Sequence, residues 1–163
     1  MSRPEAPSHP DEFSIVVERT LDWSELDALG HANNARYFTW FEEARMAYFT
    51  DVGVPTDGGS GWGPILAHTA CQFLAPVTWP ASLSLCTRPI KLGRSSVTFE
   101  YAVFERHQDT RHQDTETSEE SLTCVALGTG VVVLVRYELG EKIAIEGELR
   151  ERIEAHMLQS APS

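Results

Sequence analysis

The chain has 163 residues, enough for one domain with a full core and too few for two. A hydrophobic fraction of 42% and a charged fraction of 23% are those of an ordinary folded domain, and they exclude a disordered chain, a collagen and a small disulfide scaffold. Thirteen Lys and Arg stand against 24 Asp and Glu, a net charge of −11, which argues against a nucleic-acid partner while leaving room for a local basic patch that holds a small phosphorylated ligand.

Residues 1–12 are polar, carry Pro4, Pro7 and Pro10, and lack the apolar core of a signal peptide, so a disordered tail is expected there. A single domain over 13–158 follows, with 159–163 as a second short tail. From Phe13 the pattern alternates: Phe13, Ile15, Val17, Arg19 and Leu21 against Ser14, Val16, Glu18 and Thr20, a strand with one buried face. A turn dense in polar residues runs from Asp22 to Asn34. Ala35–Asp51 contains no Gly or Pro, has Asn33 and Asn34 as candidate caps, and is stopped by Gly53 and Pro55, which predicts a helix. Its apolar residues cover most of the circumference, so it must be buried. Glu42, Glu43 and Arg45 then have to find water or one another.

Pro55–Gly63 reads as a loop, after which the period changes to two. Strands are predicted over 65–74, 82–92, 95–105 and 122–137, with Pro89 marking an edge or a bulge. No helical pattern separates them, so the sheet is antiparallel. Leu149, Ile153 and Met157 recur every four residues in a short amphipathic helix ending near His156. The segment 107–121 holds the second copy of a repeated RHQDT (106–110 and 111–115) and no apolar group beyond Thr methyls. It reads as a protruding polar hairpin tip, with metal binding by His107 and His112 as an alternative. The predicted architecture is α+β: a curved antiparallel sheet wrapped around a long central helix.

Cys71, Cys86 and Cys124 form no CxxC pair and fall in apolar segments, which suggests buried free thiols in a reducing cytoplasm. The longest apolar stretch, Val125–Val135, is interrupted by Gly128, Thr129 and Gly130 and is too short to cross a bilayer. The expectation is a cytoplasmic protein without membrane contact. No HxxxH, HExxH, GxGxxG or P-loop spacing occurs, and GSGWG (59–63) is not a nucleophile elbow, so neither a metal nor a separate cofactor is expected.

The densest chemistry lies in DWSELDALGHANNARY (22–37), where a strand feeds a buried helix. Free N–H groups and a positive dipole end at a helix start polarise a carbonyl oxygen, and a nearby carboxylate supplies a base or a nucleophile. The same residues also suit a plain capped turn. Asp27-Ala28-Leu29-Gly30-His31-Ala32-Asn33-Asn34-Ala35-Arg36-Tyr37 resembles the signature of hotdog-fold thioesterases of the 4-hydroxybenzoyl-CoA thioesterase type. FEEAR (41–45), GPILAHTACQFLAPV (63–77) and RPIKLGRSSVTFEYAVF (88–104) extend the resemblance over residues 13–158.

The resemblance implies an acyl-CoA thioesterase with the hotdog fold. Asp27 matches the general base or nucleophile, and Asn34 the helix start whose N–H faces the thioester carbonyl. Gly30 allows close approach to the acyl group. His31 and Asn33 share the HxNN pattern that contributes to acyl-ACP thioesterase sites, although a His31 simply bonded within the turn is the alternative. Tyr37 joins the substrate contacts. Glu25 stands where relatives often carry a second Asp. Arg88, Lys91, Arg94, Ser95 and Ser96 match the region that holds the nucleotide or pantetheine arm, or else form a solvated strand end. Phe38, Phe41, Trp62, Phe73 and Trp79 are candidates for an acyl pocket or for core. Coenzyme A enters only as part of the substrate, and a homodimer or homotetramer with interface sites is expected. A hotdog dehydratase and a non-catalytic acyl-CoA binder are the alternatives.

Overall fold

A computed structural model describes residues 7–108 and 120–159. Strand β1 (Ile15–Thr20) leads through the polar turn into helix α1 (Asn34–Val52). Strands β2 (Trp62–Phe73), β3 (Ser82–Leu92), β4 (Ser96–Gln108) and β5 (Glu120–Arg136) follow, then the short β6 (Glu141–Lys142) and helix α2 (Gly147–Gln159). The strands form one antiparallel sheet in the order β1-β3-β4-β5-β2, with β6 pairing to β5. The sheet curls around α1, which is the hotdog architecture implied by the resemblance.

Helix α1 forms where its sequence permits and stops where it does not. The Asn33 side chain caps its start, and Gly53 ends it in a left-handed conformation (φ 79°) that costs a residue without Cβ little. Tyr37, Trp40, Phe41, Ala44, Tyr48, Phe49 and Val52 are buried against Leu83, Leu85, Phe99, Tyr101 and Val132 of the sheet. The three charged residues do not pair with one another. Glu42 is exposed, Glu43 takes Arg19 of β1 at 2.6 Å, and the buried Arg45 donates to the Tyr101 hydroxyl at 3.2 Å. Helix α2 closes the far end of α1, with Ile153 fully buried and His156 set against Asp51 at 2.9 Å. No helix among the described residues is long and apolar enough to cross a membrane.

Several details depart from the sequence reading. Pro10–Glu12 is a turn of 3-10 helix with Pro10 buried, where a tail was expected. It is tied down because the Glu12 carbonyl accepts from Arg88 at 2.9 Å and the Arg88 guanidinium lies 4.8 Å over the Phe13 ring. Phe13, Cys86, Ala102 and Phe104 then make a second small cluster on the convex face of the sheet. Of the three unpaired cysteines only Cys86 is fully buried; Cys71 and Cys124 are half-buried. Pro89 does sit beside a register shift, between Pro89 and Lys91, past the last residue paired with β1. Most of the repeated polar segment, including His112, lies outside the described residues. No group of three or more His, Cys, Asp or Glu able to hold a metal occurs among the described ones.

Helix α1 packs tightly on the sheet at Gly128 of β5. A Cβ there would lie 2.4 Å from Cε2 of Phe41, whose ring stacks on Tyr101 with centroids 4.7 Å apart. Gly128→Ala should therefore destabilise the fold by about 1–3 kcal/mol through overpacking. Gly59→Ala, where the nearest atom is 3.7 Å away, should be close to neutral. Urea unfolding of the two variants beside the unmodified protein checks this.

Candidate active site

The turn that leads into α1 is built from its own polar residues. Asp22 caps a single 3-10 turn, Trp23–Glu25, by accepting from the Ser24 N–H at 2.8 Å. The chain then folds back on itself: Asp27 N–H donates to the His31 carbonyl at 2.8 Å and Gly30 N–H to the Asp27 carbonyl at 3.1 Å. Gly30 has φ +80°, a conformation that an L side chain rarely adopts, so the turn needs a glycine at this point. A Cβ there would meet no protein atom within 4 Å, so the requirement is conformational.

This turn fixes the Asp27 carboxylate. Oδ1 accepts from Leu29 N–H at 2.8 Å and His31 N–H at 3.2 Å. Oδ2 takes no hydrogen bond among the described residues. The far side of the turn is pinned by Ala32 N–H to the Val77 carbonyl at 2.8 Å and by a bridge between His31 and Thr78. The segment that follows β2 thus forms one wall of the site.

Asp27, His31, Asn34 and Tyr37 line one cavity of ≈ 410 Å³, together with Leu29, Ala32, Phe73, Leu74, Ala75 and Pro76. Its size is that of a small-molecule site. Asn34 is the first residue of α1, so its backbone N–H has no intrahelical acceptor and lies at the positive end of the helix dipole. Asn33 is spent differently: its side-chain oxygen accepts from Ala35 N–H at 2.9 Å and its own N–H donates to the Glu25 carbonyl at 2.9 Å. Burial pushes the Tyr37 hydroxyl up to about 12, with lesser contributions from Cys71 and Glu105, so it is a neutral hydroxyl at physiological pH. Burial likewise raises Cys71 and Cys124 to about 11 and Cys86 still further, which leaves these thiols protonated and poor nucleophiles.

The cationic residues do not join this cavity. Arg88 is engaged on the convex face, with Glu100 at 2.6 Å. Lys91 and Arg94 are exposed, and Ser95 and Ser96 belong to the tight connection between β3 and β4, where Gly93 N–H meets the Ser96 carbonyl at 2.8 Å. The β3 end nearest Asp27 is Ser82, joined through Ala81 to Leu21. Lys91 is nine residues along β3 from Ser82, roughly 30 Å at the usual rise, and Arg94 lies beyond it, so both are far from the cavity within one chain. Of the aromatic pocket candidates, Phe73 lines the cavity. Phe41 is core, Phe38 is half-exposed, Trp62 lines a different cavity with Arg136, and Trp79 lines a third with Arg106.

A family model described as the thioesterase-like superfamily matches residues 21–153, a span that takes in the turn, α1 and every strand of the sheet except β1. The chain belongs to the thioesterase-like superfamily. The uncharacterized Bacillus subtilis protein YsmA is 29% identical over 89 residues, 55% of this chain and 60% of its own length. The chain thus spans less than two thirds of that curated relative. A Thermus thermophilus thioesterase, solved in complex with coenzyme A and Zn, is 26% identical with a TM-score of 0.70, covering 94% of this chain and 99% of its own. The PA5185 protein of Pseudomonas aeruginosa is 27% identical with a TM-score of 0.72, covering 90% and 94%. Among solved hotdog neighbours, the thioesterase superfamily protein from Jannaschia superposes with a TM-score of 0.76 at 20% identity, a likeness of fold.

The site turn depends on a side-chain oxygen that both Asp and Asn possess. Asp27→Asn keeps an acceptor for Leu29 and His31 and should leave the melting temperature nearly unchanged. Asp27→Ala removes two hydrogen bonds and should cost about 1–2 kcal/mol, a drop of about 2–4 °C per kcal/mol at this chain length. Calorimetry on the two variants checks the order.

Proposed function

We propose that the protein is an acyl-CoA thioesterase, hydrolysing an acyl-CoA to the free acid and CoA. The observation that supports this reading is the meeting of two groups on one cavity: the unengaged Oδ2 of Asp27 and the open N-terminus of α1 at Asn34. The thioester carbonyl oxygen accepts from the Asn34 N–H, whose helix dipole favours the charge that develops there. Water, deprotonated by Asp27, attacks the carbonyl carbon; a C–O bond forms and the C–S bond breaks. The proton passes by way of Asp27 to the departing CoA thiolate. A thiol of pKa about 8.5 leaves readily, so no strong acid is required. In the alternative route Asp27 attacks first and water opens the resulting anhydride. His31, beside Asp27 in the cavity wall, orients the water or the substrate, and the apolar wall of Phe73, Leu74 and Pro76 receives the acyl group.

The coenzyme A bound to the Thermus relative supports a CoA thioester as the substrate. Lys91, Arg94, Ser95 and Ser96, with Arg88 behind them, are proposed to hold the CoA phosphates of a second protomer's site. Homodimers, or homotetramers built from them, would form along β2, a twelve-residue edge strand carrying the exposed Ile65, Leu66 and Phe73. Such an interface would bring the remote cations within reach of the partner's cavity.

Thiol release from benzoyl-, short-chain and long-chain acyl-CoAs, followed with a thiol-reactive dye, tests the reading. Turnover of one class is expected, with kcat reduced at least about a hundredfold in Asp27→Asn. Near-normal turnover by that variant, or none by the unmodified protein on any CoA thioester, would overturn it. Sedimentation at micromolar concentration should show a dimer or larger; a monomer would remove the role given to Lys91 and Arg94.

A further inference from the structure

We infer that Glu25 is the positioning residue of this site, holding the Asp27 turn against α1 through a clamp with Arg19 and Trp40. The inference rests on the thioesterase reading for its kinetic consequence, and on the geometry alone for the clamp.

Glu25 is only 7% exposed, and a buried carboxylate is costly unless each oxygen is satisfied. Here both are. Oε2 accepts from Arg19 Nη2 at 2.7 Å and from Asp22 N–H at 3.0 Å. Oε1 accepts from the Trp40 indole N–H at 3.0 Å, and the Trp40 side chain has no exposure at all. Arg19 reaches on to Glu43 of α1 at 2.6 Å, and its guanidinium lies 5.6 Å from the centre of the Trp40 ring. The Glu25 backbone carbonyl also accepts the N–H of Asn33, the cap of α1. One residue thereby joins strand β1, the start of the turn and two points on the helix side.

The turn from Asp27 to His31 is stiffened by bonds within itself. It is held to the rest of the protein by the Ala32–Val77 and His31–Thr78 contacts, by the packing of Leu26 and Ala32 on the core, and by Glu25. Glu25 lies two residues before Asp27 and does not line the cavity. It therefore acts through Asp27, by setting where that carboxylate stands relative to the first N–H groups of α1. Gln at this position would turn an NH2 group toward Trp40 N–H or toward Arg19 and Asp22 N–H, setting donor against donor in either orientation. Phe in place of Trp40 removes one donor and keeps most of the ring packing.

The test places Glu25→Gln and Trp40→Phe each in the natural background and in Asp27→Asn, with thioester hydrolysis, circular dichroism and amide hydrogen exchange measured on all of them. In folded variants kcat should fall about tenfold for Trp40→Phe and about a hundredfold for Glu25→Gln, the scale of a misplaced catalytic group, with KM changed less than about twofold. In the Asp27→Asn background neither should lower the residual rate further, because the group they position is already gone. The amides of Leu29 and His31 should exchange faster in both variants. Unchanged kcat, or an equal fractional loss in the Asp27→Asn background, would overturn the positioning role. If the unmodified protein hydrolyses no thioester, the functional reading fails separately. The exchange experiment still decides the clamp, and unchanged protection at Leu29 and His31 would refute it.

Discussion

A helix that is apolar around most of its circumference can be stable only if something wraps it. In this protein the wrapping is done by a curled five-strand path, and the curl brings Phe41 and Tyr101 onto Gly128 and Gly130 with no space for another side chain. The C-terminal end of α1 is then sealed by Gly53 and by α2, whose Ile153 and His156 cover it. The first turn stays accessible, along with an outward face that carries Phe38, Thr39 and Glu42. At that first turn the Asn34 N–H, which the cap leaves over, and the positive dipole end share a cavity with Asp27, the one carboxylate that the preceding turn presents to it. Burial of the helix and exposure of its start are two results of the same packing.

The site is a compromise between rigidity and availability. Asp27 uses one oxygen to make its own turn, and the other takes no hydrogen bond among the described residues, so a single side chain both builds the loop and is free to act as the proposed base. Asn33 and Asn34, adjacent in sequence, divide labour in a comparable way. One is consumed as the cap that allows the helix to begin, while the other offers the N–H that the cap leaves over. The buried carboxylate of Glu25 sits beneath both, satisfied by donors from β1, the turn and α1.

Much of this was legible in the sequence, and for physical reasons. The switch from helical to alternating periodicity after Gly63, and the absence of any helical pattern between later strands, gave the antiparallel sheet; Asn33 and Gly53 bracketed α1 almost to the residue. The cluster Asp27–Tyr37 was visible because polar residues crowded where a strand enters a buried helix. Contacts distant in sequence were not visible. Nothing local reveals that Arg88 is occupied by Glu100 and the Glu12 carbonyl, or that Pro10 is covered. The separation of Lys91 and Arg94 from Asp27 emerges only once β3 is seen to run its full length between them. Glu25 reads as one acid among three until Trp40 and Arg19 are found around it. The aromatic pocket candidates fared unevenly because an aromatic residue in a strand or helix gives no sign of which cavity it will border; only Phe73 reached this one.

The central claim is that Asp27 and the start of α1 act on one carbonyl. A crystal structure with a non-hydrolysable acyl-CoA analogue, its thioester replaced by a ketone, tests this most directly. The account predicts the ketone oxygen within hydrogen-bond distance of the Asn34 N–H, with Oδ2 of Asp27 facing the carbonyl carbon and the acyl group against Phe73 and Leu74. An analogue bound with its carbonyl away from both groups would contradict it.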